Sequence, residues 1–316
     1  MSQLASLVVQ LVGALAVLTV GAELLVRGAS MLARRLGISE LAVGLTVVAF
    51  GTSAPELVVS LSAALGGSSD IAVGNVVGSN ICNIALILGL SAVIHPMIVH
   101  TKIFKLDAPL LLVLSGALAA ALHFGQLSRT VGIGLIVGLI AFTMTTLWLA
   151  RRETDRASPD EVPATSGGSA VLDLLLIAAG LAGLVGGGNW FVGSAIDLAR
   201  YFELSESLIG LTIVAVGTSL PELATSIVAA LRGRGDLAVG NIVGSNIFNI
   251  LGILGVTAVV QPLSAGGVGT LDLAYMLGLS LVLLPIVRSG FVVSRGEGAL
   301  LLLSYVGYLA WRLIPT

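Results

Sequence analysis

Long apolar segments alternate with short polar ones along most of the chain. Each apolar segment has about 20 residues, the length that an α-helix needs to cross a bilayer. The first has no Lys or Arg before it and is long enough to span, so we interpret it as a helix and not as a cleaved signal. The pattern predicts an all-α integral membrane protein with ten transmembrane spans, near residues 4–26, 39–65, 71–94, 106–124, 130–150, 171–198, 205–231, 237–260, 268–287 and 298–314.

The composition supports this interpretation. Of the 316 residues, 56% are hydrophobic and only 10% are charged, and the mean hydropathy is +1.07. A water-soluble domain of this size would not expose so apolar a surface. The net charge of -2 argues against a nucleic-acid partner, and the single cysteine, Cys82, rules out a disulfide framework. We expect no cofactor and no obligate protein partner.

The basic residues predict the orientation of the spans. Most of them follow odd-numbered spans: Arg27, Arg34, Arg35, Lys102, Lys105, Arg151, Arg152, Arg156, Arg232, Arg234, Arg288 and Arg295. Only Arg129, Arg200 and Arg312 lie on the alternate side. Short cytoplasmic loops are enriched in Lys and Arg. We therefore predict a protein of the cell membrane whose two termini both lie outside.

One polar segment divides the chain. Residues 151–169, RRETDRASPDEVPATSGGS, combine charges, prolines and small residues, which is typical of a short disordered linker. We interpret it as a cytoplasmic connector between a first half, residues 1–150, and a second half, residues 170–316.

The two halves repeat one sequence. At an offset of 166 residues, Glu40–Pro96 aligns without a gap on Glu206–Pro262, and about 35 of the 57 positions are identical. GTSAPEL at Gly51–Leu57 pairs with GTSLPEL at Gly217–Leu223, and the GNVVGSNICNI motif that begins at Gly74 recurs as GNIVGSNIFNI. Each half holds five predicted spans, an odd number, so the second half must be inverted relative to the first. In such transporters the substrate binds at the repeat interface near the midplane.

Prolines predict a break in the second and seventh spans. Pro55 and Pro221 lack an N–H, and their rings clash with the carbonyl groups four residues earlier, at Gly51 and Gly217. Unwound backbone in mid-membrane is tolerated only where it is buried in protein or lines a cavity. Hydroxyl and carboxylate side chains follow each break at once: Thr52, Ser53 and Glu56 in one half, Thr218, Ser219 and Glu222 in the other.

The third and eighth spans each carry a polar stripe. Asn75, Ser79 and Asn83 recur four residues apart, as do their counterparts Asn241, Ser245 and Asn249. This spacing places each set on one helix face, and we expect the stripes to face the breaks. Asn75, Asn241, Asn80 and Asn246 are more simply interpreted as helix contacts or caps.

Charge makes these motifs functional candidates. A carboxylate at the bilayer centre costs about 2.5 to 3.5 kcal/mol on insertion scales, and two close together also repel each other. Glu56 and Glu222 are the acids that we place at midplane depth, and no Lys or Arg is predicted at that depth. Oxygen ligands of this kind suit hard cations such as Ca²⁺ and Na⁺. We expect protons to compete for the same carboxylates at low pH.

The paired GTSAPE/GTSLPE and GNVVGSNICN/GNIVGSNIFN motifs resemble the alpha repeats of the sodium/calcium exchanger family, within the cation/calcium antiporter group. The resemblance covers both motif pairs and the ten-span layout. It implies exchange of Na⁺ for Ca²⁺ by alternating access, in which the first and sixth spans slide across a fixed core of eight. It also implies a cluster of four cation sites, with ligands from Ala49 (carbonyl), Thr52, Ser53, Glu56, Ser79, Asn83, Ala215 (carbonyl), Thr218, Ser219, Glu222, Ser245 and Asn249.

One position departs from the family pattern. Some members, including the potassium-dependent branch, have Asp where this chain has Asn249, so potassium dependence is disfavoured and three-sodium stoichiometry is in question. Proton-coupled relatives typically have an acid in the third-span motif, where this chain has the amide Asn83. Sodium coupling is therefore the first hypothesis, and a proton/calcium or other divalent-cation antiporter is the alternative. A cation channel ranks third, and an enzyme is disfavoured because no hydrolase motif lies at membrane depth.

Several polar residues have simpler interpretations. Glu23 and Arg27, four residues apart, are predicted to form a surface pair. Asp70 and Asp236 are predicted to cap the third and eighth spans. The glycines at 186–188 are predicted to permit close packing or bending.

Overall fold

The computed structural model describes residues 3–156, 169–202, 215–264, 268–288 and 290–312. Its helical segments are α1 (Gln3–Leu36), α2 (Glu40–Thr52), α3 (Ala54–Leu65), α4 (Ser69–Ile94), α5 (Ile103–Asp107 continued by Ala108–Phe124), α6 (Arg129–Arg156), α7 (Ala170–Tyr201), α8 (Ala215–Gly217), α9 (Leu220–Leu231), α10 (Gly235–Val260), α11 (Thr270–Arg288) and α12 (Arg295–Arg312). Four short strands complete the described structure: β1 (Met97–Ile98), β2 (Gln126–Leu127), β3 (Leu263–Ser264) and β4 (Val292–Val293).

The prediction of a helical membrane architecture is confirmed. Seven described helices are long and apolar enough to cross a membrane, and α2 with α3 forms an eighth candidate as a bent pair. The short α9 is apolar, and its predicted span begins at residues 205–214, which lie outside the described residues. Helix α12 carries Arg295, Glu297 and Arg312. The number of ten spans stays a prediction.

Two helices extend beyond their predicted ends. Helix α1 continues past residue 26 to Leu36, so Arg27, Arg34 and Arg35 lie in its last turns and not in a loop. It ends where Gly37 adopts a positive φ of 61°, because glycine has no Cβ to oppose the left-handed region. Helix α6 continues past residue 150 to Arg156. The start of the predicted linker is therefore helical, and residues 157–168 lie outside the described part of the chain.

The two halves contact each other in matching pairs. Strand β1 pairs antiparallel with β4, and β2 pairs antiparallel with β3. The two pairings are equivalent under the repeat offset of 166 residues: Met97 pairs with Val293, and their counterparts Leu263 and Leu127 pair with each other. The same offset relates two close helix contacts: a Cβ at Gly298 would lie 2.6 Å from the Gly89 carbonyl oxygen, and a Cβ at Gly132 would lie 2.8 Å from that of Gly255. The duplicated sequence thus forms duplicated contacts.

Helices α1 and α7 pack along each other through glycines. A Cβ at Gly180 would lie 2.6 Å from the Leu25 nitrogen, and one at Gly21 would lie 2.8 Å from the Leu184 nitrogen. Among the glycines at 186–188, Gly187 faces α1, where a Cβ would lie 3.0 Å from the Leu18 nitrogen, whereas Gly186 has open space around it. The prediction of close packing therefore holds for Gly187, and the two backbones meet because these positions have no side chains.

Ion pairs join the ends of several helices. Arg35 bonds Asp173 at 2.6 Å between α1 and α7, and Arg234 pairs with Glu40. Glu23 pairs with Arg232 at 2.9 Å, so the predicted partner, Arg27, was wrong. The residue that follows α9 comes near α1 only in the folded chain, and spacing within one helix could not indicate it.

The predicted aspartate caps were also wrong. Helix α4 has Ser68 at its N-cap position and α10 has Arg234, and neither cap makes a side-chain hydrogen bond to its helix. Asp70 and Asp236 lie inside the first turn instead. There they are placed to interact with the positive end of the helix dipole.

Candidate functional site

Both predicted helix breaks are present. The helical geometry stops at Ser53, where φ is -84° and ψ is 7°, and α3 leaves α2 at an angle of 45°. Ser219, with φ -87° and ψ 8°, occupies the same position before α9. Pro55 and Pro221 lie in the first turn of the helix that follows each break, where a missing N–H leaves no hydrogen bond unmade. Each proline thus ends one helix and begins the next.

The two breaks contact each other through crossed hydrogen bonds. Ser53 Oγ donates to Glu222 Oε1 at 2.7 Å, and Ser219 Oγ lies 3.1 Å from Glu56 Oε1. The serine of each half therefore contacts the carboxylate of the other. Both glutamates and both serines are buried, and among the described residues no Lys, Arg or His forms an ion pair with either carboxylate. The structure brings Glu56 and Glu222 into one polar cluster, as predicted.

Several oxygens of the predicted ligands are buried without a hydrogen-bond partner. They are Glu56 Oε2, Glu222 Oε2, Asn83 Oδ1, Asn249 Oδ1, Ser245 Oγ and Thr218 Oγ1. A buried oxygen that accepts nothing is unfavourable by about 1 to 3 kcal/mol. All six belong to predicted ligands, and hard oxygen donors of this kind suit a cation such as Ca²⁺ or Na⁺.

Helices α4 and α10 bring their polar stripes to the breaks. Ser79 Oγ lies 3.4 Å from Ser219 Oγ. Asn83 lies in a π-helical stretch, Cys82–Leu88, and Asn249 begins another, Asn249–Ile253. Such wide turns are frequent at functional sites. We did not predict them, because no local sequence signal marks a π-helical turn.

The outer asparagines of the stripes hold helices together, as predicted. Asn75 Nδ2 donates to Ser60 Oγ at 3.0 Å, and Asn241 Nδ2 donates to Ser226 Oγ at 3.1 Å, which is the equivalent bond in the second half. Asn241 Oδ1 also lies 3.2 Å from Thr52 Oγ1. The two stripes are therefore fastened to the broken helices next to the cluster.

Two predicted ligands are engaged within their own helix. Thr52 Oγ1 lies 3.1 Å from the Val48 carbonyl oxygen, and the Ala49 carbonyl oxygen accepts the Ser53 backbone N–H at 3.1 Å. These are the bonds that a hydroxyl and a carbonyl at a helix end normally make. In the second half, Thr218 Oγ1 has no partner, and Ala215 is the first described residue of α8.

One contact of the cluster was not predicted. Asn249 Nδ2 donates to Asn80 Oδ1 at 3.0 Å, so an asparagine of α4 is bonded directly to a candidate ligand of α10. Asn80 lies off the polar stripe of its own helix, and the sequence indicated only that it contacts some helix.

The size of a cavity does not indicate where the polar cluster lies. One cavity of about 830 Å³ lies between α1, α2, α6, α7 and α10, and none of its lining residues is charged. A smaller cavity of about 140 Å³ reaches the second break, where Pro55, Pro221 and Thr218 line it together with Gly188 and Asn189 of α7. Of these two cavities, the smaller one is lined by a predicted ligand, Thr218.

Comparisons with known proteins agree with the fold. A family model described as "Sodium/calcium exchanger protein" matches residues 6–148 and 172–314. The inner membrane protein YrbG of Escherichia coli is 40% identical over 307 residues, which cover 92% of this chain and 91% of YrbG. The sodium/calcium exchanger MaX1 of Methanosarcina acetivorans is 33% identical over 327 residues, covering 92% and 93%.

The same agreement extends to a solved structure. The sodium-calcium exchanger NCX_Mj, soaked with Na⁺ and Sr²⁺, superposes with a TM-score of 0.82 and 34% identity over 98% of this chain and 99% of that one. The fold and the buried oxygen cluster define a helical membrane transporter. Within that class, the chain belongs to the sodium/calcium exchanger family, a family of cation/calcium transporters.

Proposed function

We propose that this protein exchanges Na⁺ for Ca²⁺ across the cell membrane by alternating access. The observation that carries the proposal is the pair of buried carboxylates, Glu56 and Glu222, bonded to the serines of the opposite half. No basic side chain among the described residues pairs with them, so cations from solution must balance their charge. Either one Ca²⁺ or two Na⁺ would neutralise the two carboxylates. The two kinds of ion would therefore compete for the same site.

The proposed ligands are the residues predicted from the motifs. They are Ala49, Thr52, Ser53, Glu56, Ser79 and Asn83, with their counterparts Ala215, Thr218, Ser219, Glu222, Ser245 and Asn249. The unpartnered oxygens most directly support four of these residues as ligands: Glu56, Glu222, Asn83 and Asn249. The two alanine carbonyls rest on the family resemblance.

We further propose ten spans in two inverted halves, with both termini outside. The matching strand pairs β1–β4 and β2–β3 support two equivalent halves, and five spans in each half would invert one relative to the other. The described helices account for eight candidate spans. Helices α9 and α12 would complete the seventh and tenth.

Access to the cluster would change through α1 and α7. These helices pack on each other through glycine contacts, which favours movement of the two as one unit. The 140 Å³ cavity between α7 and the second break ends at Thr218, whose hydroxyl has no partner. We propose that this cavity belongs to the pathway from the outer side, and that sliding of α1 and α7 closes it.

Sodium coupling can be tested against its alternatives with purified protein in vesicles. Vesicles loaded with Na⁺ are diluted into medium without Na⁺, and the uptake of labelled Ca²⁺ is compared with uptake by vesicles without a gradient. We expect uptake that depends on the outward Na⁺ gradient and stops when the gradient is removed.

Each alternative has its own signature. Uptake driven by a proton gradient alone would establish the proton/calcium antiporter. Calcium flux that follows its own gradient, with no requirement for Na⁺ or H⁺, would establish a channel. The reversal potential under defined gradients would then give the number of Na⁺ exchanged for each Ca²⁺. This number is in question because Asn249 stands where some family members have an acid.

A further inference from the structure

Asn80 connects the two halves of the molecule beside the ion cluster. Its Nδ2 lies 3.4 Å from the backbone carbonyl oxygen of Asn246, and its Oδ1 accepts a hydrogen bond from Asn249 Nδ2 at 3.0 Å. All three side chains are buried. Asn80 thus reaches across from α4 to the residue of α10 that stands where some family members have Asp.

These contacts determine which way the Asn249 amide faces. A backbone carbonyl can only accept, so Asn80 must turn its NH₂ group toward Asn246 and its oxygen toward Asn249. Asn249 must then present its own NH₂ group to Asn80. Its Oδ1 is left on the other side of the amide, buried and without a partner, as a cation ligand needs to be.

The other half does not repeat this arrangement. Asn246 is the counterpart of Asn80, but its Nδ2 donates to the Ile242 carbonyl oxygen of its own helix at 2.8 Å. No hydrogen bond joins Asn246 to Asn83 among the described residues, although Asn83 Oδ1 is equally buried and unpartnered. Among the described residues, Asn249 is the candidate amide ligand that is held by an asparagine of the other half.

We propose that Asn80 is a positioning residue, which holds the Asn249 amide with its oxygen, and not its NH₂ group, directed at the bound cation. The inference rests on the proposed role of Asn249 as a ligand. A carboxylate offers oxygen in either orientation, whereas an amide that flips directs two N–H donors at a positive ion. An amide in the ligand set therefore needs a residue that fixes its orientation, and a carboxylate does not.

The test compares Asn80→Ala with and without Asn249→Asp, measuring Na⁺-driven Ca²⁺ uptake at a series of Ca²⁺ concentrations. In the parent background we expect Asn80→Ala to raise the KM for Ca²⁺ about tenfold, the change that corresponds to about 1.4 kcal/mol, with kcat changed by less than about twofold. In the Asn249→Asp background we expect the same substitution to change the KM by less than about twofold, because effects that act through one residue are not additive.

Asn246→Ala is the matched control. It removes the same side chain from the equivalent buried position, leaves the Asn246 backbone carbonyl in place, and touches no hydrogen bond to a candidate ligand. We expect it to leave the KM within about twofold of the parent value, a change of less than about 0.5 kcal/mol. The melting temperatures of the purified variants establish that each is folded before uptake is measured.

The outcomes separate this inference from the proposed function. If Asn80→Ala raises the KM equally in both backgrounds, or if Asn246→Ala matches its effect, Asn80 acts through packing and the positioning role is wrong. If Asn80→Ala leaves the KM unchanged while Asn249→Ala raises it, Asn249 is a ligand that needs no positioning. If Asn249→Ala itself leaves both the Ca²⁺ and the Na⁺ dependence unchanged, the ligand assignment fails first.

Discussion

Replacing Glu222 by glutamine tests the electrostatic basis of the site most directly. Glutamine has nearly the same shape and keeps an oxygen that can accept the Ser53 hydroxyl, now 2.7 Å from Glu222 Oε1. The substitution therefore removes a charge while it preserves the packing of α9 at the break. The equivalent change, Glu56→Gln, removes the partner carboxylate of the crossed arrangement.

The expected loss follows from the charge and the burial. Two unit charges 4 Å apart interact by about 4 kcal/mol at an effective dielectric constant of about 20, and a divalent cation doubles that figure. Part of the attraction is offset because the parent carboxylate is itself costly to bury, as it has no basic partner among the described residues. A net loss of about 3 kcal/mol remains, which would weaken Ca²⁺ binding by more than about a hundredfold.

Thermal unfolding in detergent measures this loss without transport. Because Ca²⁺ stabilises the folded state in proportion to the logarithm of its concentration over the Kd, each variant is melted over a series of Ca²⁺ concentrations. We expect the concentration needed for a given rise in Tm to increase by more than about a hundredfold in Glu222→Gln and in Glu56→Gln. Calcium uptake into vesicles should nearly disappear in both.

Glu23→Gln is the control. It also removes one negative charge from a helix, but Glu23 is 38% exposed, lies outside the cluster and pairs with Arg232. Exposed ion pairs contribute at most about 1 kcal/mol, so we expect the calcium dependence of Tm to stay within about twofold of the parent. Near-normal calcium stabilisation of Glu222→Gln, or equal losses in Glu23→Gln and Glu222→Gln, would refute the reasoning.

Three further predictions follow from described contacts. Gly180→Ala places a Cβ 2.6 Å from the Leu25 backbone nitrogen, so we expect a loss of about 1 to 3 kcal/mol of stability, seen as a Tm several degrees lower, whereas Gly186→Ala, which meets open space, should melt with the parent. Asn249→Asp should retain uptake while it changes the reversal potential or the pH profile. If the variant and the parent have the same reversal potential and the same pH profile, a carboxylate added at position 249 has no role in coupling. Acid should inhibit uptake, because protons neutralise Glu56 and Glu222, and the inhibition should be overcome by raising the Ca²⁺ concentration; inhibition that Ca²⁺ does not relieve would place the titrating group elsewhere.

The family matches determine which questions these experiments still have to answer. Because the chain is similar to MaX1 and to NCX_Mj over nearly its whole length, cation/calcium exchange is established at the level of the family. What the experiments decide is the coupling ion and its number. Both questions concentrate on Asn83 and Asn249, the two amides at positions where acids occur in other members of the group.

The sequence by itself determined the local elements. The length of each apolar segment predicted a helix that can span, and Pro55 and Pro221 predicted the breaks, because the missing N–H and the ring clash act on the nearest turn only. The repeat also identified the cluster residues, since a polar set that recurs around a Glu and a Pro in both halves is not a feature of simple helix packing. Where local signals were weak or absent, the predictions failed: helix α1 continued to Leu36, and the π-helical stretches at Cys82–Leu88 and Asn249–Ile253 were not anticipated.

Only the tertiary structure decided which residues are partners. The crossed Ser53–Glu222 and Ser219–Glu56 contacts, the Glu23–Arg232 ion pair and the Asn80–Asn249 bond each join residues that are far apart in sequence. Periodicity within a helix indicates the face on which a side chain lies, but the neighbour on that face is set by how whole helices pack. Duplication alone would have predicted equal surroundings for Asn83 and Asn249. The fold distinguishes them, because Asn80 bonds Asn249 whereas its counterpart Asn246 bonds a carbonyl of its own helix.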